Sequence, residues 1–291
     1  MRTIGFIGAG NMATALLQGL LRAGQVSPDH IVASDVRPER LVELGKAHGV
    51  RTTSDNVALL GDCDVIVLAV KPQVIDSVLE ELGMRVRSEQ IIVSIAAGVP
   101  LSHIEARMAP GSRVIRAMPN TPALVQAGAT ALAPGRCASA DDVVVARAMF
   151  EAVGRVVVLG EAQLDAVTGL SGSGPAFVLL MIEAMADGGV KVGLPRDVAQ
   201  ILAAQTVFGA AKLLVETGEH PARLKDMVTS PGGTTIAGVH ALESRGVRSA
   251  FMDAIEVATR RSAELGRALI DEGRRSPSPS SLPSAKASTS S

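Results

Sequence analysis

With 291 residues, 47% of them apolar, and a formal charge of −1, the chain is long enough for two domains with sizeable cores and has no field suited to nucleic acid or an anionic membrane. Cys63 and Cys137 are too few and too far apart for a metal-ligand cluster, and they read as reduced thiols of a cytoplasmic protein without a metal. The chain has no Tyr and no Trp, which excludes any reductase mechanism that takes its proton from a tyrosine.

Arg2 leads directly into a strand-like run, Thr3 to Ile7, with no small-residue cleavage pattern of a signal peptide. The run enters Gly8-Ala9-Gly10-Asn11-Met12-Ala13, a G-x-G-x-x-A fingerprint, and then an apolar-periodic helix from Ala13 to Leu21. In that setting Gly8 makes the tight turn, Gly10 lets a pyrophosphate approach the backbone, and Ala13 allows close helix–sheet packing. The expectation is a dinucleotide site at the N-terminus.

A second strand, Ile31 to Ser34, ends in Asp35-Val36-Arg37. An acid here ordinarily holds the ribose 2′-OH of NAD, and a nearby Arg accommodates the 2′-phosphate of NADP. Both residues are present, so the spacing leaves the choice open. A helix is predicted over Glu39 to His48, a strand over Val50 to Thr52, and a helix N-cap at Ser54-Asp55-Asn56. Asp64 to Val70 is almost wholly apolar, as a parallel strand buried on both faces must be, and ends in Lys71-Pro72-Gln73 at the ligand edge of such a sheet. Gln90 to Ser94, ending in Ala96-Ala97-Gly98, and Arg113 to Ala117, ending in Met118-Pro119-Asn120, repeat the pattern. Val156 to Leu159 is the last expected strand. Residues 1–160 therefore read as an α/β Rossmann-type doubly wound sheet.

From Glu161 the pattern becomes helical. Helices are predicted over Asp165 to Gly172, Pro175 to Val190, Arg196 to Thr217, Pro221 to Val228, Thr235 to Arg245 and Val247 to Glu272, with Pro175 and Pro195 at starts and Gly193 and Gly218 at ends. The most apolar stretch, Pro175 to Ala186, is interrupted by Glu183 and too short to span a bilayer, so no membrane association is expected. Helices apolar nearly all round need burial on every side, which predicts an all-α dimerisation domain over residues 161–273 and a homodimer. Residues 274–291, mostly Ser, Pro and Ala, are expected to form a disordered tail.

Thr229-Ser230-Pro231-Gly232-Gly233-Thr234-Thr235 lies between two of these helices. Pro231 fixes φ, the glycines permit close approach, and a helix expected to start at Thr235 directs unpaired N–H groups into the turn, a cradle for a small carboxylate. Taken alone, it also reads as a Thr-capped helix start. The histidines His30, His48, His103 and His220 read as surface residues, whereas His240 shares the candidate helix of Thr235.

FIGAGNMA, AVKPQ, RAMPNTPA, TGLSGSGPAF, EAMADGGVKVGLPR and SPGGTTIAGVHALE together resemble the pyrroline-5-carboxylate reductase family, over Thr3 to about Gly273. The resemblance implies NAD(P)H-dependent reduction of 1-pyrroline-5-carboxylate to L-proline, with NADPH preferred and NADH accepted. It implies a homodimer assembling into a larger ring, commonly a decamer, with substrate sites between subunits. It implies cofactor contacts at Gly8, Ala9, Gly10, Asn11, Met12, Ser34, Asn56, Ala69, Val70, Lys71, Pro72 and Ala97, to which the reading of the second strand adds Arg37. It implies a substrate pocket at Met118, Asn120, Ser173, Ser230, Gly232, Gly233, Thr234 and Thr235, with Thr235 as the catalytic hydroxyl on the ring nitrogen. The family often has an amide side chain where this chain has Met227. Two other readings are a 3-hydroxyacid dehydrogenase and a non-catalytic dinucleotide-binding regulator. The first needs a lysine after Gly172-Ser173-Gly174, where Pro175 to Ile182 has none, and the second tolerates loss of the Ser230–Thr235 loop, which is intact.

Overall fold

A computed structural model describes residues 2–275. Eight strands form one sheet: β1 (Ile4–Ile7), β2 (Ile31–Ser34), β3 (Arg51–Thr53), β4 (Val65–Leu68), β5 (Ile91–Ser94), β6 (Arg113–Met118), β7 (Gly128–Pro134) and β8 (Gly154–Val158). Their order is β3-β2-β1-β4-β5-β6-β7-β8. Neighbours run parallel except β6 and β7, which pair antiparallel. The chain reverses there because β6 and β7 are joined by a short 3₁₀ turn, Thr121–Val125, in place of a crossover helix.

Helices α1 (Asn11–Arg22), α2 (Pro38–His48), α3 (Asn56–Asp62), α4 (Ile75–Leu82), α5 (Leu101–Glu105) and α6 (Ala140–Glu151) cover the two faces. Strand alternation sorts the core. Phe6, Val65, Val67 and Val93 pack with Leu16, Leu17 and Leu20 of α1 and Phe150 of α6. Ile7, Ile66, Leu68 and Ile92 pack with Leu59, Leu79 and Ile104 of α3, α4 and α5. Each such fully buried side chain contributes about 1.5–3 kcal/mol, enough to fix the register on which the ligand edge depends. The strand at β7 went unread in the sequence. Its GATALAP is built of small residues with little β-propensity, and pairing with β6 and β8 carries it.

His103 corrects the sequence reading. Its ring is buried against α4, with Nε2 2.5 Å from Asp76 Oδ1, because α5 is a short helix whose neighbours Leu101 and Ile104 anchor it in the core.

Beyond Gly160 the chain is helical: α7 (Leu164–Val167), a π turn over Thr168–Gly172, then α8 (Gly174–Lys191), α9 (Arg196–Thr217), α10 (Pro221–Met227), α11 (Thr234–Ser244) and α12 (Val247–Arg275). Pro195 caps the start of α9, and Gly218, at φ 65°, closes its end with an N–H to Leu214 O. The helical run Glu161–Lys191 is 31 residues, longer than the sequence pattern indicated. It and α9 are long and apolar enough, by length and composition, to cross a membrane. Among the described residues α8 and α9 bury only Ala186, Ala199 and Ala203, while Leu180 and Ile201 are 67% and 68% exposed.

Helix α12 turns back across the α7–π segment. Ser262 Oγ donates to Asp165 Oδ1 at 2.7 Å, and a Cβ at Gly169 would sit 2.3 Å from Thr259 Oγ1. Further along α12, a Cβ at Gly266 would lie 2.9 Å from Gly98 O, so the helix touches the loop after β5 that carries Ala97. The expected Ser/Pro-rich tail lies outside the described residues except for Arg274 and Arg275, which continue α12.

Candidate active site

A cleft of about 550 Å³ opens at the carboxyl ends of β1, β2 and β4, lined in part by Gly8, Gly10, Ser34, Arg37, Asn56, Ala69, Val70 and Lys71. The topological switch between β1 and β4 makes it the expected ligand crevice of an open α/β sheet. Gly8 has φ +95°, and a Cβ there would lie 2.7 Å from Ala69 O, so only glycine makes this turn. Gly10 is the N-cap of α1, and a Cβ on it would meet nothing within 4 Å. That open space in front of a helix N-terminus suits a pyrophosphate. Asn11 and Met12 follow as the first residues of α1. Ala97 is exposed at the end of β5, one residue before the Gly98 contact with α12.

Two side chains hold the glycine loop, Asp35 in a role other than the expected ribose contact and Arg40, which the sequence did not mark. Ala9 N–H donates to Asp35 Oδ2 at 2.9 Å, and Arg40 Nε donates to Ala9 O at 2.9 Å. Arg40 also donates to Thr14 Oγ1. No local signal distinguishes Arg40 from the other charged residues of α2, since its partner is a backbone carbonyl 31 positions away.

Asp35 does not stand open as a ribose acceptor. Arg37 Nε and Nη2 donate to its two oxygens at 2.9 and 3.0 Å, and Arg37 N–H adds a third bond. The Arg37 guanidinium and the backbone N–H groups hold the Asp35 carboxyl down at about 2, against the opposing effect of burial. Arg37 itself keeps half of its side chain in solvent. Across the cleft, Ser34 Oγ donates to Asn56 Oδ1 at 2.7 Å and Asn56 Nδ2 donates to Glu81 Oε2 at 2.8 Å. Asp55, as expected, caps α3 through Val57 and Ala58 N–H.

Part of the expected substrate pocket assembles at the end of β6. A Cβ at Gly172 would lie 2.8 Å from Met118 Cε, so Met118 rests on the π turn beside Ser173. Asn120 is buried, with Nδ2 donating to Ser171 O at 2.9 Å and Oδ1 accepting from Ala129 N–H at 2.8 Å. The Ser171 carbonyl needs that donor because the residue one turn ahead is Pro175, which has no N–H. The polar ends of Asn120 are thus engaged within the chain. Among the described residues no hydrogen bond uses the Ser173 hydroxyl, whose backbone N–H closes the π turn on Thr168 O at 2.8 Å. Beside them lies an apolar groove of about 570 Å³ lined by Pro122, Leu124, Leu170, Pro175 and Leu179.

The rest of that pocket lies elsewhere. Gly232 adopts φ +69°, Gly233 N–H donates to Ser230 O at 3.1 Å, and a Cβ at Gly233 would collide with Ser230 Oγ. The helix starts one residue earlier than expected: α11 begins at Thr234 with Gly233 as N-cap, so Thr235 does not cap it. Thr234, Thr235 and Ile236 carry N–H groups with no carbonyl one turn back. Among the described residues, every hydrogen bond of the Thr229–Gly233 loop is local, and none reaches Met118, Asn120 or Ser173.

Two family models match separate parts of the chain. A family model described as pyrroline-5-carboxylate reductase dimerisation matches residues 161–265, and one described as NADP oxidoreductase, coenzyme F420-dependent, matches residues 3–98. A pyrroline-5-carboxylate reductase of Methanosarcina acetivorans is 53% identical over 264 residues, covering 91% of this chain and 98% of the relative. One from Synechocystis is 50% identical with the same coverage. Among solved structures, a pyrroline-5-carboxylate reductase from Coxiella burnetii superposes with a TM-score of 0.87 at 38% identity over 91% of this chain and 98% of that one. The Plasmodium falciparum pyrroline carboxylate reductase with NADP bound gives 0.81 at 30% identity over 91% of this chain and 98% of that one. With its sheet, its glycine cleft and its helical half all matched, the chain belongs to the pyrroline-5-carboxylate reductase family.

Proposed function

We propose that this protein reduces the cyclic imine 1-pyrroline-5-carboxylate to L-proline, the last step of proline biosynthesis, using NADPH in preference to NADH, in the cytoplasm. The observation that carries the reading is a dinucleotide cleft and a separate Ser230–Thr235 anion cradle on one chain, in a family whose members are named for that reaction. The cleft fits the cofactor: Gly10 leaves open space before the first turn of α1, Asn11 and Met12 supply N–H groups, and Ala69 to Lys71 line the facing wall. When bound, the reduced nicotinamide supplies a hydride.

The chain's own residues have little proton chemistry to perform. Near neutral pH the imine nitrogen takes a proton from water, and the iminium carbon is already a hydride acceptor. Addition of hydride to that carbon removes the positive charge, so no oxyanion develops. The protein's work is to grip the carboxylate, exclude water and hold the two carbons at roughly 3–3.5 Å. Backbone N–H groups at Thr234 and Thr235 suit the carboxylate, the Thr235 hydroxyl suits the ring nitrogen, and Met118 with the π turn supplies the apolar wall.

The cradle and the Met118–Ser173 wall share no hydrogen bond within one chain. Helices α8 and α9 present an apolar surface with almost no core of their own. Both features support a homodimer built by residues 161–273, with residues 1–160 as the dinucleotide domain and the partner's cradle completing each site. The resemblance further implies dimers gathered into a decameric ring. Cofactor preference rests on Arg37, whose exposed guanidinium lies at the ribose end of the cleft.

The test is consumption of NADPH and of NADH with 1-pyrroline-5-carboxylate, with proline identified as product, beside 3-hydroxyisobutyrate with NADP⁺ and NAD⁺. Proline formation and no turnover of the hydroxyacid are expected. The opposite pattern identifies a hydroxyacid dehydrogenase and overturns the reading.

A further inference from the structure

The Ser34–Asn56–Glu81 chain of hydrogen bonds has a direction that its chemistry fixes. An ionised carboxylate only accepts, so Asn56 must turn Nδ2 toward Glu81, as it does at 2.8 Å. Its Oδ1 then faces Ser34, and the Ser34 hydroxyl must donate, as it does at 2.7 Å. The alternative acceptor, Phe6 O, is at 3.5 Å. Ser34 is the last residue of β2, the position beside the ribose 2′-carbon in a dinucleotide fold, and Ser34, Asn56 and Glu81 all line the same cleft. With its proton committed, Ser34 Oγ offers that cleft only lone pairs. The second Nδ2 proton of Asn56 is the one donor left on the chain of bonds.

We propose that Glu81 is a positioning residue for cofactor selection: through Asn56 and Ser34 it sets the ribose end of the cleft to accept a 2′-hydroxyl and to disfavour a 2′-phosphate. A 2′-hydroxyl can donate to Ser34 Oγ. A 2′-phosphate needs donors, finds an acceptor, and adds negative charge to a cleft that already holds the Glu81 carboxylate. Among the described residues Glu81 has no salt-bridge partner, and the other carboxylate of the cleft, Asp35, is neutralised by Arg37. Arg37 and Glu81 therefore pull in opposite directions on the 2′ position. The inference rests on the dinucleotide reading of this cleft.

Replacing Glu81 by Gln lets the new amide donate to Asn56 Oδ1, so Asn56 can turn and free the Ser34 proton for the phosphate. The experiment is calorimetric binding of NADP⁺ and NAD⁺, which differ only in the 2′-phosphate, to the full chain. Glu81→Gln should tighten NADP⁺ roughly 10-fold, the worth of one hydrogen bond to a charged group, and change NAD⁺ less than about twofold. Glu80→Gln removes the same charge from the same helix without touching Asn56, and should leave the ratio of the two constants alone. In a Ser34→Ala background the effect of Glu81→Gln should shrink to that of Glu80→Gln. Equal tightening with and without Ser34 would show plain charge repulsion and overturn the positioning role, as would an unchanged ratio in Glu81→Gln. A wild-type protein that binds neither nucleotide overturns the dinucleotide reading and the inference with it.

Discussion

At the scale of single residues, the carboxylate that ends β2 is a structural clamp. Asp35 ties the glycine loop through Ala9 N–H and anchors Arg37. Its pKa falls from 3.8 to about 2 on folding, so its contribution to stability is fully present above pH 3.8 and is lost as pH falls through about 2. The guanidinium of Arg37 is the largest cause. Arg37→Ala should therefore move the Asp35 titration back toward 3.8, read by NMR of the carboxyl carbon, and raise the KM for NADPH while sparing NADH. An Asp35 pKa that stays near 2 would assign the depression to the backbone donors alone. Thr235 is now separable from helix capping, because Gly233 occupies the N-cap. Thr235→Ala should lower kcat on the order of 10- to 100-fold with unchanged Tm and unchanged NADPH binding, and Thr235→Ser should restore most of it. Turnover unchanged in Thr235→Ala would leave the backbone N–H groups as the only binding device of the loop. The sequence made these residues visible through type and spacing. It did not show that Asp35 and Arg37 bond to each other, nor that Asn56 and Ser34 depend on Glu81, since those bonds join residues brought together only by the sheet.

At the scale of elements, the junction between sheet and helices turns on one proline. Pro175 leaves the Ser171 carbonyl without its helical donor, and Asn120 supplies a replacement from the end of β6. Asn120→Ala should cost about 1–3 kcal/mol, the penalty for orphaned buried groups. Pro175→Ala returns an N–H one turn ahead of Ser171, so the double variant should lose less than the sum of the two single losses in denaturant unfolding. Strict additivity would mean that the carbonyl finds water in either case. Strands with β-branched residues alternating between two packed layers were legible, β2 to the residue, and so were helices bounded by Pro195 and Gly218. What escaped depends on tertiary pairing. β7 is held by its neighbours and not by propensity, the π turn over Thr168–Gly172 preserves an apolar pattern that reads as one helix, and His103 is buried by the packing of α5 on α4.

At the scale of the whole molecule, the sheet half closes around two full cores while the helical half buries little more than three alanines. Leu179, Leu180, Ile201 and Leu202 lie more than half exposed on α8 and α9, a surface that a second copy would cover by a symmetric contact. Ile201→Asp should shift sedimentation from dimer or larger ring to monomer and abolish turnover, while NADPH still binds the intact cleft. A monomer that keeps full turnover would place both halves of the site on one chain. That arrangement is tested most directly by pairing two disabled subunits. Gly10→Val should fold, because nothing lies within 4 Å of a Cβ there, but it fills the space the cofactor needs; Thr235→Ala leaves the cleft intact and removes the ring-nitrogen contact. Coexpressed and purified as mixed dimers, the two should regain about one half of wild-type turnover, since each mixed dimer has one of its two sites with a sound cleft and a sound partner loop. Mixed dimers no more active than the Thr235→Ala parent would contradict a site shared between chains.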